Sequence, residues 1–315
     1  MRVLVTGANG YVGRAARAAL IDAGHDVVAA VRSLDRLSEP ARAGGVAVGG
    51  IGPETDWTSA LEGVDAVVHL VSPPLSHGTE RQRAEEAERV IVAGTQRLMD
   101  QAIVAGVRRF IFMSSLKVLG EASGPRPFTE SDPFDPQDAY AGAKARAEDA
   151  VRGCPGMETV ILRPPAIYGR ASGGNVRQMI ELLRKAPPVL PLGYGGNRRS
   201  FVHRDNLVSA VLACVTHEAA AGRTFLVADG EAVSTGTLVR RVLRALGRRV
   251  LVIPTPRLVL AGAARLVFGA GGARRLVESY AIDDAAIRTA LGWAPPLDGE
   301  AAMADAVVLG PDPYS

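Results

Sequence analysis

The stretch VLVTGANGYVG, residues 3–13, decides the fold. A short apolar run enters a turn in which Gly7, Gly10 and Gly13 are spaced GxxGxxG. The next stretch, YVGRAARAALIDAG, has a helical pattern and closes at Gly24. Glycine at these places allows a tight turn, close approach of a pyrophosphate, and close packing of helix on strand. The helix N-terminus that follows offers free N–H groups and the positive end of its dipole to an anion. A glycine pattern alone says little; strand, turn and helix in this order make it specific for a dinucleotide.

Working outward, strand and helix patterns keep alternating. HDVVAAVR, GVDAVVHLVS, VRRFIFMSS and METVILRP read as strands. They are apolar nearly throughout, as strands covered on both faces are. Between them, AEEAERVIVAGTQRLMDQAIVAG reads as a long helix ending at Gly106, and DAYAGAKARAEDAVRG as a helix with Asp138 as its cap. The fold class is therefore α/β, a Rossmann-type doubly wound parallel sheet. After Pro164 the rhythm breaks into loops rich in Gly, Pro and Arg. We expect residues 1–164 to form the dinucleotide-binding domain, with 201–228 returning to it. Residues 165–200 and 229–315 then form a smaller C-terminal substrate-binding part.

The chain has 315 residues, 47% apolar and 22% charged, with a formal net charge of +3. Arginines are scattered or sit in short clusters such as GNRRS and LGRRV, so no nucleic-acid partner is expected. Cys154 and Cys214 have no metal-ligand spacing and read as unpaired thiols in a reducing compartment; no metal is expected. The chain opens directly on a strand, and the longest apolar run, LVLAGAARLVFGAGGA (258–273), is broken by Arg265 and several glycines. That run reads as a core helix or a pocket wall, not a membrane span. The expectation is a cytoplasmic protein with no membrane partner.

The chemistry sits in YAGAK, where Tyr140 and Lys144 are four apart and share a helix face. Ser114 and Ser115 lie at the carboxyl end of the strand VRRFIFMSS, the end at which ligands bind in such sheets. A Ser, a Tyr and a Lys converging on a nicotinamide can run hydride chemistry. Lys144 lowers the pKa of Tyr140, Tyr140 gives or takes the hydroxyl proton, and Ser115 hydrogen-bonds the same oxygen.

With these residues in view, the chain resembles the extended short-chain dehydrogenase/reductases of the NAD-dependent epimerase/dehydratase family. The matching stretches are VTGANGYVG, GVDAVVHLVS, FIFMSSLKVLG, YAGAK, LRPPAIYGR, RRSFVHRDNL and LGWAPP, in the family's order and over nearly the whole chain. The resemblance is nearest to the subgroup similar to UDP-glucose 4-epimerase. It implies that Gly7, Asn9, Gly10, Tyr11, Val12 and Gly13 hold the pyrophosphate. It places Leu70, Val71 and Ser72 beside the nicotinamide ribose, and Pro164 and Ile167 beside the nicotinamide amide. It makes Ser115, Tyr140 and Lys144 the catalytic triad. It assigns Asn175 to a substrate loop and Arg199 to the diphosphate of a nucleotide sugar, and it makes His203 and Asp205 structural. It also implies a homodimer built on two long helices. Where 4,6-dehydratases carry an acid after the catalytic Ser or Thr, this chain has Leu116, which disfavours dehydration.

The cofactor is read from VVAAVRS. An NAD-binding chain usually has an Asp or Glu here for the ribose hydroxyls; this one has Ala30, Val31 and Arg32. The guanidinium of Arg32 suits a 2′-phosphate, so NADP is expected, with NAD the alternative. NADP favours net reduction of a keto group, on a substrate similar to a nucleotide sugar. An NAD-recycling nucleotide-sugar 4-epimerase, a reductase of a non-sugar carbonyl, and a redox-inactive dinucleotide sensor remain alternatives.

Overall fold

The computed structural model describes residues 1–37, 44–73 and 78–314. Its strands, in chain order, begin with β1 (Arg2–Thr6), β2 (Asp26–Val31), β3 (Gly45–Ala47), β4 (Ala66–His69), β5 (Arg109–Met113) and β6 (Glu158–Arg163). Shorter strands follow: β7 (Ala166–Tyr168), β8 (Val189–Leu190), β9 (Phe201–His203), β10 (Arg223–Leu226) and β11 (Leu251–Val252). Seven of them form one sheet in the order β10-β6-β5-β4-β1-β2-β3, each pair parallel. Starting at β1, the chain winds outward to β3 on one side and to β4, β5 and β6 on the other, the doubly wound order.

Alternate residues of each strand feed two separate cores, as the two-residue period of a strand requires. Val3, Val5, Val68 and Ile111 bury against the helices Tyr11–Asp22 and Arg204–Thr216. Leu4, Val67, Phe110 and Phe112 bury against the helices Gly94–Val104 and Ala139–Arg152. Asp138 caps the latter helix, accepting Ala141 N–H at 2.8 Å, as expected from the sequence. The long helix starts earlier than the apolar period suggests, at Glu80, because Thr79 and Gln82 form a reciprocal capping box. Its middle, Glu88–Ala93, is wound as a π-helix.

Residues 204–216 and strand β10 return to the sheet. The helix Ala285–Leu291 returns too: Ile287, Leu291 and Trp293 bury in the same core as β1. The remaining C-terminal lobe has its own core, built on Ile180, Leu183, Val239, Val242 and Met303. The apolar run 258–273 differs from its sequence reading. It lies in a helix, Arg257–Val277, broken at Gly269 (φ 72°), and in its first ten residues only Leu260 and Ala264 are buried. It is not a core helix, because the lobe offers it one narrow contact stripe. Among the described residues no helix is long and apolar enough to cross a membrane. Cys154 and Cys214 are both free thiols.

Candidate active site

A cleft of about 870 Å³ runs along the carboxyl ends of β1, β2, β4, β5 and β6. One end is the glycine turn. Gly7 has φ +65°, a conformation that side chains rarely adopt, and a Cβ on Gly13 would collide with Gly7 O. The helix Tyr11–Asp22 starts here with no acidic residue in its first turn, so nothing competes with an anion for its N–H groups. The Tyr11 hydroxyl is buried without a hydrogen-bond partner among the described residues. Turn and helix thus fit the pyrophosphate of a dinucleotide. Gly7, Asn9, Gly10, Tyr11, Val12 and Gly13 all line this end.

At the other end lie Ser114, Ser115, Tyr140 and Lys144, with Leu70, Val71, Ser72, Pro164 and Ile167 around them. The Tyr140 phenol is pushed above its ordinary value by burial; hydrogen bonds from the Ser72 and Ser115 hydroxyls oppose this. Ser115 Oγ accepts Lys117 N–H at 3.3 Å, which fixes the side chain. The Lys144 side chain is fixed by backbone carbonyls and a ring. Its Nζ donates to Met113 O at 2.6 Å and Val71 O at 3.3 Å, and lies 4.6 Å from the centre of the Phe112 ring. Burial pushes Lys144 down to about 7, against a smaller upward pull from Glu148.

Beneath this group lies an ion pair that the sequence did not disclose. Glu148, one turn beyond Lys144, accepts Arg163 Nη2 at 2.7 Å and Arg152 Nη2 at 2.5 Å, and also takes the Ser114 hydroxyl. Both Arg152 and Arg163 lie over the Phe134 ring, at 5.2 Å each. One carboxylate thereby joins the ends of β5 and β6 to the helix that carries Tyr140 and Lys144. His69, at the end of β4, is enclosed between Thr6 (2.7 Å) and Thr95 (3.1 Å). Burial pushes it down to about 3, so it is a neutral structural residue.

Arg32 lines the cleft beside Val31 at the end of β2. The next carboxylate along the chain, Asp35, takes the Ser33 hydroxyl and does not line the cleft. Opposite, Gly49, Gly50 and Ile51 form the wall, with Arg89 donating to Ile51 O at 3.0 Å and held by Glu86 at 2.8 Å. Arg89 has no local sequence signal; the π-helical turn brings it here.

Two expected substrate residues lie outside the cleft. Asn175 is exposed and accepts Arg275 Nη1 at 2.8 Å. Arg199 is half-buried over the Tyr280 ring, 5.4 Å from its centre, with Nη1 3.4 Å from Glu278 O. His203 is buried, its Nε2 3.0 Å from Asp305 Oδ2, and it caps the helix Arg204–Thr216.

Residues 3–228 match the model of the NAD dependent epimerase/dehydratase family. The chain is 33% identical over 305 residues to UDP-glucose 4-epimerase of Vibrio cholerae, covering 93% of this chain and 90% of that one. It is 31% identical over 305 residues to 3 beta-hydroxysteroid dehydrogenase/Delta 5-->4-isomerase of Mycobacterium tuberculosis, covering 90% and 80%. Its fold is similar to that of a short-chain dehydrogenase/reductase superfamily protein from Agrobacterium tumefaciens crystallised with bound NAD (TM-score 0.71, 25% identity, 98% and 96% covered).

Proposed function

The chain belongs to the NAD-dependent epimerase/dehydratase family, and we propose that within it this enzyme reduces a keto group with NADPH on a nucleotide-sugar-like substrate. The observation that carries this reading is the Tyr140 phenol. It is flanked by the Ser72 and Ser115 hydroxyls, at the far end of the cleft that starts at the glycine turn.

The bound dinucleotide would supply the hydride. Burial keeps the Tyr140 phenol protonated at neutral pH, the form that gives a proton to an oxygen gaining negative charge. Ser115 hydrogen-bonds the same oxygen. Lys144, fixed by Met113 O and Val71 O, stands at the head of the helix face that carries Tyr140 and faces the ribose side of the cleft. The residue after Ser115, Leu116, is wholly buried and carries no acid to drive elimination.

Arg32, with no carboxylate at the end of β2, supports NADP over NAD. The helices spanning 80–104 and 139–152 pack side by side and are the surface through which a homodimer would form, in a cytoplasmic setting.

The test is NADPH consumption with a 4-keto nucleotide sugar, abolished in Tyr140→Phe. A second reading, a 4-epimerase recycling NAD, is favoured by the likeness to the Vibrio cholerae enzyme. Interconversion of UDP-glucose and UDP-galactose without net NADPH use would replace the reductase by that reading. Faster turnover of a 3β-hydroxysteroid would replace the substrate class.

A further inference from the structure

Between Glu231 and Glu278 the chain carries nine arginines and not one aspartate or glutamate. The helix Arg257–Val277 closes this stretch. Among the described side chains of its first ten residues only Leu260 and Ala264 are buried, while Leu258 and Leu266 are 86% and 90% exposed and Val259 is 60% exposed. At about 100° per residue, Leu258, Gly262, Leu266 and Val259 fall in one arc of roughly 100°, opposite the buried pair. Arg265 falls on one edge of that arc, while Arg257, at the start of the helix, falls about 100° beyond the same edge, towards the buried side. Neither has a carboxylate partner among the described residues, whereas Arg274 is matched by Glu278 and Glu121. The strand before the helix adds Leu251, also exposed.

A helix that packs only into its own protein turns its large apolar residues inward. This one turns them out, with Arg265 at their edge and the exposed Arg257 at the helix start. We propose that this face docks on the surface of an anionic phospholipid bilayer, leucines in the acyl boundary and arginines at the headgroups. Charge selects the occupant. A second copy would bring the same acid-free basic face against itself, and a nucleic acid would leave Leu258 and Leu266 against phosphates. A lipid surface offers anions above an apolar layer. Docking here involves no membrane span, consistent with the helix being broken at Gly269.

The far end of the helix reaches the active-site rim. Arg274 pairs with Glu121 (3.5 Å), Glu121 with Lys117 (3.8 Å), and Lys117 with Asp138 (2.5 Å), the cap of the helix bearing Tyr140. The inference is independent of which substrate is reduced.

The test is vesicle flotation of the full chain, with phosphatidylcholine alone and with phosphatidylcholine containing phosphatidylglycerol, at low and high salt. Binding to the anionic vesicles is expected to exceed binding to the neutral ones by about tenfold and to fall in high salt. L258Q/L266Q and R257E/R265E should each lose about tenfold, while keeping the wild-type thermal shift with NADP that shows an intact fold. Equal binding to both vesicles, or wild-type binding by both variants, overturns the proposal. So does light scattering showing that the variants dissociate a wild-type oligomer, and so does a gel shift with duplex DNA in place of flotation. Loss of NADPH turnover with soluble substrates, with flotation intact, would count against the proposed reaction and leave the docking face standing.

Discussion

Arg163 Nη2 donates to Glu148 Oε2 at 2.7 Å, and both side chains lie wholly inside the protein. Removing one member of such a pair leaves an uncompensated buried charge, which costs about 3–5 kcal/mol. Glu148→Ala strands Arg163 and is expected to lower unfolding free energy by that order, whereas Arg163→Met leaves Glu148 its Arg152 partner and should cost less. The double variant Glu148→Ala/Arg163→Met should lose clearly less than the sum, because neither charge is then stranded. Urea unfolding of the four proteins measures the coupling; strict additivity would mean the pair does not act as a unit.

The same helix carries a pH-dependent element. Burial lowers Lys144 from 10.5 to about 7. Between those values the folded chain holds Lys144 neutral while the unfolded chain keeps the proton. Unfolding then takes up a proton, so stability from this group rises with pH across that window and is at its lowest below about 7. Lys144→Met removes the titration. The difference in stability between wild type and Lys144→Met should therefore shift in favour of wild type as pH rises from about 7 towards about 10. A pH-independent difference in denaturant midpoints would show that Lys144 stays charged in the fold.

Much of this was legible along the chain, and the reasons for the rest are physical. The glycine turn, the parallel strands and the Tyr140–Lys144 pair are local patterns, set by backbone geometry and helix period. Ser72 beside the Tyr140 phenol, Glu148 under Arg163, and Arg89 on Ile51 are meetings of distant segments, for which no spacing rule exists. Asn175 and Arg199 carried family roles into a lobe whose loops follow their own packing, and both lie off the cleft. Apolar composition alone could not say which way the helix Arg257–Val277 faces, since a core helix and a helix awaiting a partner share it.

The glycine turn has no slack at Gly13. A Cβ there would strike Gly7 O and stand 2.9 Å from Gly7 C and 3.0 Å from Ala8 Cα, all backbone atoms that cannot swing aside. Gly13→Ala is expected to cost about 1–3 kcal/mol, as overpacking does. It should also weaken dinucleotide binding at least roughly tenfold by opening the turn. Thermal melts with and without NADP separate the two effects; a wild-type shift in a destabilised variant would show that the turn does not hold the pyrophosphate.

Dinucleotide choice should pivot on two adjacent positions. Arg32→Ala removes the cation beside Val31 and is expected to weaken NADP by about tenfold to a hundredfold, the worth of a hydrogen bond to a charged group, while leaving NAD unchanged. Val31→Asp places a carboxylate at the end of β2 and should reverse the preference, repelling a 2′-phosphate and accepting ribose hydroxyls. Titration of both dinucleotides into wild type and the two variants checks this. Equal affinity of wild type for NAD and NADP would remove the preference altogether.

Asp312 ties the end of the described chain to the glycine turn by two routes. Its Oδ2 accepts Arg14 Nη2 at 2.7 Å, and Arg14 Nη1 in turn donates to Asn9 O at 3.0 Å, inside the turn. Its Oδ1 accepts Arg204 Nη1 at 2.8 Å, and Arg204 lies between the rings of Tyr11 and Tyr314, 4.6 Å from each centre. Although burial raises the Asp312 carboxyl, these arginine contacts outweigh it and leave the group below its ordinary value. Its contribution to stability is therefore present at neutral pH and fades as acid protonates it. Asp312→Asn keeps the shape and removes the charge. The variant should raise KM for the dinucleotide by about three- to tenfold, with kcat changed less than about twofold, because Asp312 acts on the turn through Arg14 and Arg204 and not on the reacting atoms. Wild type should lose dinucleotide affinity more steeply than the variant only as pH falls below the ordinary carboxylate value of about 4. A fall in kcat at unchanged KM would mean that the segment acts on Tyr140 or Lys144 and not through Asn9 and Tyr11.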